Sequence, residues 1–338
     1  RRQLGPNLIY QYYEKQITDS GIDWDRLYWH YHPIAFNRAL NRTGTSLNHF
    51  PYHYLSLCHR ILDCFSFPSV FRPGYHIERT DLNVFLEQWI PFDYANQNCK
   101  DDRAENQGRY QNWKGATQEW DVYHPSFKDP RKPGNLTRSI ARCLNIGTDF
   151  GLLDEEEIDK AFSRCASGKP TILAYCNHDS RDMIKEIEEV TSRIKRVAKD
   201  YSNFVDYKYS NATEAMRMYY GMTEVDPVEF LISFSENRLD VECNKEIFGS
   251  QPFLALQTFD DVMYHDNFSY GDNDLKYFYL PKVLVKMKLG GASNSSISSL
   301  FNLNKEIYQI HQSNGVPIKI TNLIKKIPNR ILELFIRP

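Results

Sequence analysis

The residues able to do chemistry in this chain stand out against the apolar runs that precede them. In Trp29-His30-Tyr31-His32-Pro33 two imidazoles lie at i and i+2, and on an extended segment they project from the same face. One strand then offers two nitrogens to one divalent cation, zinc or a similar metal, because neutral imidazole is the commonest protein ligand for such ions. The alternative is a pair of partly buried strand histidines satisfied by hydrogen bonds. Arg72 follows the short apolar run Ser69-Val70-Phe71, which breaks at Pro73-Gly74. Asp93 comes near the end of Ile90-Pro91-Phe92-Asp93-Tyr94, and His178 follows Pro170 to Cys176, the clearest buried strand in the chain. In barrels and open α/β sheets the C-terminal ends of strands are where sites are built. For His178 the alternative is a strand-end histidine bonded to Asp179 or Asp182.

The elements that must position these residues alternate. Leu8, Ile9, Tyr12, Tyr13 and Ile17 have helical spacing, and Asp19-Ser20-Gly21 ends that helix. A second helix begins near Pro51, which makes His49, His53 and His59 helix-entry and surface residues. Thr80 caps a helix through Leu82, Phe85, Leu86 and Trp89. From Asn96 to Gly134 the chain is polar but carries Trp113, Trp120, Tyr123 and His124, the composition of an ordered loop over a site. Asp154-Glu155-Glu156-Glu157 opens an acidic-headed helix that Gly168 closes, and a long amphipathic helix covers about 181 to 199. A strand from Phe204 to Tyr209 and a helix from Ala212 to Tyr220 complete the pattern. Residues 1–222 therefore read as an α/β layer or barrel. After Asp226-Pro227 short strands with hairpin signals at Ser235-Glu236-Asn237 and Phe248-Gly249-Ser250 predict a small antiparallel β module over 227–272. A strand through Val283 and Val285, Gly290-Gly291 and two helices near Ile307 and Ile324 form a tail over 273–338.

Composition narrows the function classes. With 338 residues, 41% hydrophobic and 25% charged, the chain has a globular core to bury, and a net charge of -2 gives no electrostatic reason to expect nucleic acid. No run of about eighteen apolar residues occurs, so no membrane span is expected. Seven cysteines without paired short spacings argue against a disulfide framework and point to a reducing, cytoplasmic setting. The start at Arg1-Arg2-Gln3 has neither an initiator Met nor the pattern of a signal peptide, and reads as the middle of a longer gene product.

The succession His30-Tyr31-His32-Pro33, Arg72-Pro73-Gly74-Tyr75, Pro91-Phe92-Asp93-Tyr94 and a strand-end His178 resembles the motif order of the polysaccharide deacetylase superfamily over roughly residues 1–222. That resemblance implies a distorted (β/α) barrel with one divalent metal and hydrolysis of an acetyl group from a sugar. It implies that His30 and His32 bind the metal, that Arg72 orients a catalytic aspartate, that Asp93 stands behind the catalytic histidine and that His178 is that histidine, the general acid. Tyr75, Trp113 and His124 are the candidates for contact with the carbohydrate. Two departures stand out: the histidines are two apart where the motif spaces them four apart, and the superfamily's first Asp-Asp motif has no counterpart ahead of His30. Asp23 and Asp25 lie in a loop, and Phe259-Asp260-Asp261 reads as a hairpin turn. Without that motif the chain reads either as a barrel short of its first strand or as a degenerate member, and its activity in this form is left open. The tail from Leu280 to Asn294 is similar to the end of family 2 glycosyltransferases of surface-polysaccharide clusters, which implies a glycosyltransferase partner and a place in O-antigen or capsule synthesis. A non-catalytic carbohydrate-binding or scaffolding protein is the alternative.

Overall fold

A computed structural model describes residues 6–22, 24–30, 52–76, 78, 80–100, 113–148, 151–178, 181–222, 228–235, 238–249, 252–257 and 262–266. The chain divides into two compact units, one of residues 1–255 and 265–282, the other of residues 256–264 and 283–338. His32, the Asp260-Asp261 pair and the glycosyltransferase-like tail lie outside the described residues.

The first unit is a mixed α/β structure built on a curled parallel sheet, a half-barrel. Its strands β1 (Val70–Phe71), β2 (Phe92–Asn96), β3 (Ser139–Asn145) and β4 (Ala174–Cys176) lie side by side in chain order, all parallel. Trp29 extends the sheet by one rung, bridging Phe71 in parallel. Its N–H donates to the Val70 carbonyl, and its own carbonyl accepts from the Arg72 N–H. A complete (β/α) barrel is not what these strands make. The segment expected as a further strand at 204–209 is irregular, and Phe204 stands 75% exposed.

Strand alternation gives the sheet two faces. The convex face carries Trp29, Phe71, Ala95, Ile140 and Leu144, and helices cover it. These are α3 (Thr80–Trp89), α4 (Glu155–Ala166) and α5 (Met183–Asp200); of the two helices that precede them, α1 (Pro6–Ser20) is largely exposed and α2 (Tyr52–Cys64) meets α3 through Tyr54 and Phe85, 5.5 Å apart. Trp29 packs on Phe71 at 5.2 Å and on Phe85 of α3 at 5.4 Å, while Leu144 joins Ile158 and Phe162 of α4 and Val190 and Ile194 of α5 in one buried cluster. The helix starts follow from capping chemistry. Asp154 accepts from the Glu157 N–H at 2.9 Å behind three first-turn glutamates, and Asp182 accepts from Lys185 at 3.3 Å.

The concave face presents Tyr28, Val70, Tyr94, Ala141, Cys143 and Ala174, and α6 (Ala212–Tyr219) packs against it. Two tyrosines of the sheet fasten the start of α6. Tyr28 Oη donates to the N-cap side chain Asn211 at 2.9 Å, and Tyr94 Oη donates to the Ala212 carbonyl at 2.7 Å. After the half-barrel, β5 (Phe230–Ser235) and β6 (Arg238–Cys243) form an antiparallel hairpin with Ser235 opposite Arg238, where the turn residues predicted it. Strands β7 (Leu254–Gln257) and β8 (Met263–Asp266) follow. No helix among the described residues is long and apolar enough to cross a membrane.

Candidate functional site

Between the concave face and α6 lies a cavity of about 1200 Å³ that continues around the edge strand β4. His30, Arg72, Cys143, Cys176, Asn177 and His178 line its part at the C-terminal ends of the strands, and Tyr28, Tyr94 and Tyr219 line its floor and α6 wall. Three of the residues expected from the sequence, His30, Arg72 and His178, thus come together from the ends of three different extended segments. His30 is exposed, and its Nδ1 lies 2.7 Å from the Arg72 carbonyl, an acceptor. The contact therefore sets the tautomer with the proton on Nδ1 and the lone pair on Nε2. His178, two residues beyond β4, is exposed, and its N–H donates to Asn177 Oδ1 at 2.7 Å.

The other expected residues sit elsewhere. Asp93 is fully buried on the convex side, because Tyr94 takes the concave position and strand neighbours alternate. There it meets the buried Arg138, whose Nη1 is 3.0 Å from Asp93 Oδ2 and 2.8 Å from Glu78 Oε1. It does not stand behind His178. Burial first, and then the Glu78 charge, push the Asp93 carboxyl well above its usual range against the pull of Arg138. Trp113, 1% exposed, does not line this cavity: it packs with Ala95, Ala116, Tyr123 and Ile140 on the convex side and donates from Nε1 to the His76 carbonyl at 2.9 Å. His124 lies at the other end of the sheet, its Nδ1 3.1 Å from the carbonyl of Arg138, the residue ahead of β3. Seven residues of strand put that point roughly 20 Å from the C-terminal ends. The backbone of Tyr75 belongs to a 3-10 turn, Gly74–His76. Of the polar segment expected to lie over the site, Trp113, Ala116, Trp120 and Tyr123 pack against the convex side and Val122 joins the concave cluster.

Sequence reasoning missed the group that sits between Arg72 and His178. The Arg72 guanidinium donates from Nη2 to His76 Nε2 at 2.7 Å. His76 Nδ1 is 3.2 Å from the Ala95 carbonyl, and its Nε2 is 3.8 Å from Cys176 Sγ. With Arg72 donating to Nε2, the His76 proton is on Nδ1 and the ring is neutral. Burial, and then the Arg72 charge, hold its pKa below the ordinary imidazole value. His76 has φ 52, a left-handed conformation uncommon for a residue with a side chain, and the Trp113 bond to its carbonyl helps to hold it there. Cys176 Sγ also lies 3.1 Å from Asn145 Oδ1, its pairing partner on β3. Cys143, two residues earlier on the same face of β3, hydrogen-bonds to Cys176. That bond, assisted by His76 and the Arg72 charge and opposed by burial, holds Cys176 well below the usual thiol value, and Cys143 is pushed well above it. The available signal was a cysteine at the end of the clearest buried strand, two residues before a candidate catalytic histidine.

As a metal centre the described residues supply part of a ligand set. An Nδ1–H donated to a backbone carbonyl is the support that metal-bound histidines ordinarily have, so His30 fits as one ligand through Nε2. Among the described residues no three His, Cys, Asp or Glu side chains are grouped to hold an ion. No family model, curated protein or solved structure matches the chain.

Proposed function

We propose that the chain is a carbohydrate hydrolase of the polysaccharide deacetylase type, removing an acyl group from a sugar of a surface polysaccharide. The observation that carries this reading is the convergence of His30, Arg72 and His178 on one cavity at the C-terminal ends of a parallel half-barrel. Under this reading His30 and His32 hold a divalent metal, zinc or a similar ion. When bound, such an ion lowers the pKa of a water molecule and polarises the acyl oxygen. His178, exposed at the cavity, protonates the departing alkoxide or amine of the sugar. Arg72 fixes His30 through its carbonyl and places its cation beside the reacting group. The tyrosines of the cavity floor offer ring faces of the kind that pack against sugars. A full barrel, a cytoplasmic location and a glycosyltransferase partner in O-antigen or capsule synthesis complete the proposal, and rest on the sequence resemblance.

Elemental analysis of the purified chain beside a His30→Ala, His32→Ala double variant tests it, together with acetate release from acetylated oligosaccharides. About one equivalent of metal, lost in the double variant, and acetate release lost on His178→Asn are the expected outcome. No metal in either protein overturns the hydrolase reading. A second reading, a non-catalytic carbohydrate-binding or scaffolding protein, is favoured by the placement of Asp93 away from the cavity. It predicts glycan binding without acetate release.

A further inference from the structure

Arg72 brings a cation to the cavity wall with no anion to match it. The two buried arginines beside and within β3 each meet carboxylates, Arg138 at Glu78 and Asp93 and Arg142 at Glu157. Half-buried Arg72 has no such ion pair among the described residues. Its Nη2 donates to the neutral ring of His76 at 2.7 Å, and its Nε is shielded from water and has no hydrogen-bond partner. Cys176, on the same wall, does not supply the counter-charge: its Sγ meets two acceptors, the Leu144 carbonyl at 3.4 Å and Asn145 Oδ1 at 3.1 Å, and donates. Lys208, a second cation of the lining, is taken by Glu214. The carboxylate of the lining among the described residues, Asp206, is exposed on the irregular segment 204–209. A cation held away from water without a partner is costly, so the cavity suits a ligand that carries the missing negative charge.

We propose that the cavity takes an acidic sugar, with the planar carboxylate of a hexuronate on the Arg72 guanidinium. The proposal rests on the hydrolase reading for the sugar and adds the charge that selects it. A guanidinium presents parallel N–H donors that match the two oxygens of a carboxylate, a fit that a neutral hydroxymethyl group at the same position lacks. Asn177 brings a further donor to the cavity. Its Oδ1 accepts from the His178 N–H at 2.7 Å, which fixes the amide and leaves Nδ2 shielded from water without a partner. Asn177 follows Cys176, whose Sγ is 3.8 Å from the ring nitrogen that receives the Arg72 bond, so the two donors belong to one wall. Tyr94 and Tyr219 offer ring faces for the apolar side of a sugar, and a cavity of about 1200 Å³ has room for an oligosaccharide.

Isothermal titration calorimetry near neutral pH, in EDTA so that no metal contributes, tests the proposal with two probes. One is a tetrasaccharide alternating glucuronate and N-acetylglucosamine, and the other is the same chain with its carboxylates reduced to hydroxymethyl groups. The parent is expected to bind the acidic chain about tenfold or more tightly than the reduced one. In Arg72→Met the two affinities come within about twofold of each other, through loss of the acidic chain's advantage and not through a gain by the reduced one. Where Arg72→Met does not fold, phenylglyoxal modification with peptide mass mapping reads the contact in the parent: the acidic chain protects Arg72 and the reduced chain does not. Equal affinity of the parent for the two chains overturns the proposal, and so does failure of both to bind. An Arg72 that does not react, or that reacts alike with and without the acidic chain, overturns it as well. Inorganic phosphate that displaces the acidic chain at matched concentration overturns the carboxylate in favour of a phosphorylated ligand. Metal content and acetate release are separate readouts. Acetate release without any preference for the acidic chain sinks this inference and leaves the hydrolase reading standing, and acidic binding by a chain that holds no metal does the reverse.

Discussion

Asp93 and Glu78 share the guanidinium of Arg138 inside the protein, two carboxyls against one cation. Because burial and Glu78 raise the Asp93 pKa, the folded state keeps a proton that the unfolded chain gives up near pH 4. Between those two values the folded state binds more protons than the unfolded one, so the contribution of Asp93 to stability is full below about pH 4 and is lost as pH rises. Asp93→Asn, neutral at every pH, removes this loss. The melting temperature of the variant relative to the parent should climb from pH 4.5 to pH 8, measured by thermal unfolding in matched buffers. A difference that stays constant with pH would refute the raised pKa. The motif around Asp93 was legible in the sequence, but its partner was not. Glu78 and Arg138 are 60 residues apart in the chain, and only the folded sheet brings them together.

At the scale of elements, the helices were legible because capping residues and apolar spacing are local: α1, α2, α3, α4, α5 and α6 all begin or end at residues whose chemistry predicts it. The central strand β3 went unread. Its sequence, Ser-Ile-Ala-Arg-Cys-Leu-Asn, carries an arginine at a position buried on both sides, which no apolar alternation announces. Arg142 is accommodated by partners distant in the chain. Its Nη1 meets Glu157 Oε2 at 2.5 Å, its Nε donates to the Asn98 carbonyl at 2.9 Å, and its guanidinium stacks 4.7 Å from the Trp120 ring centre. Against burial, which pushes it upward, the Arg142 bond and charge hold the Glu157 carboxyl below its ordinary range. Arg142→Met leaves that carboxylate without its main partner and should cost about 3–5 kcal/mol in denaturant unfolding. Adding Glu157→Gln should return part of the loss. Equal losses for the single and double variants would show that the pair is not coupled.

For the molecule as a whole, the parallel α/β architecture could be read from the order of motifs, and so could the ends of the strands where His30, Arg72 and His178 meet. The cysteine cluster could not, because a thiol acquires its character from neighbours that the sheet supplies. Closure of the concave face rests on α6 and its tyrosine fastenings. Tyr94→Phe removes one of them, worth about 1 kcal/mol. Hydrogen exchange over residues 212–219 should then quicken by about fivefold while β3 keeps its protection; unchanged exchange would place the hold on α6 elsewhere. The sheet order, finally, is the order of synthesis. As the nascent chain leaves the ribosome, each new strand of the half-barrel finds its template already present beside it, an ordering that keeps contacts short-range and suits folding from the N-terminal side. The thiol arrives on the last strand of the four. During translation the arginine and histidine that await it are already assembled, so Cys176 meets its neighbours only on a scaffold built before it emerges.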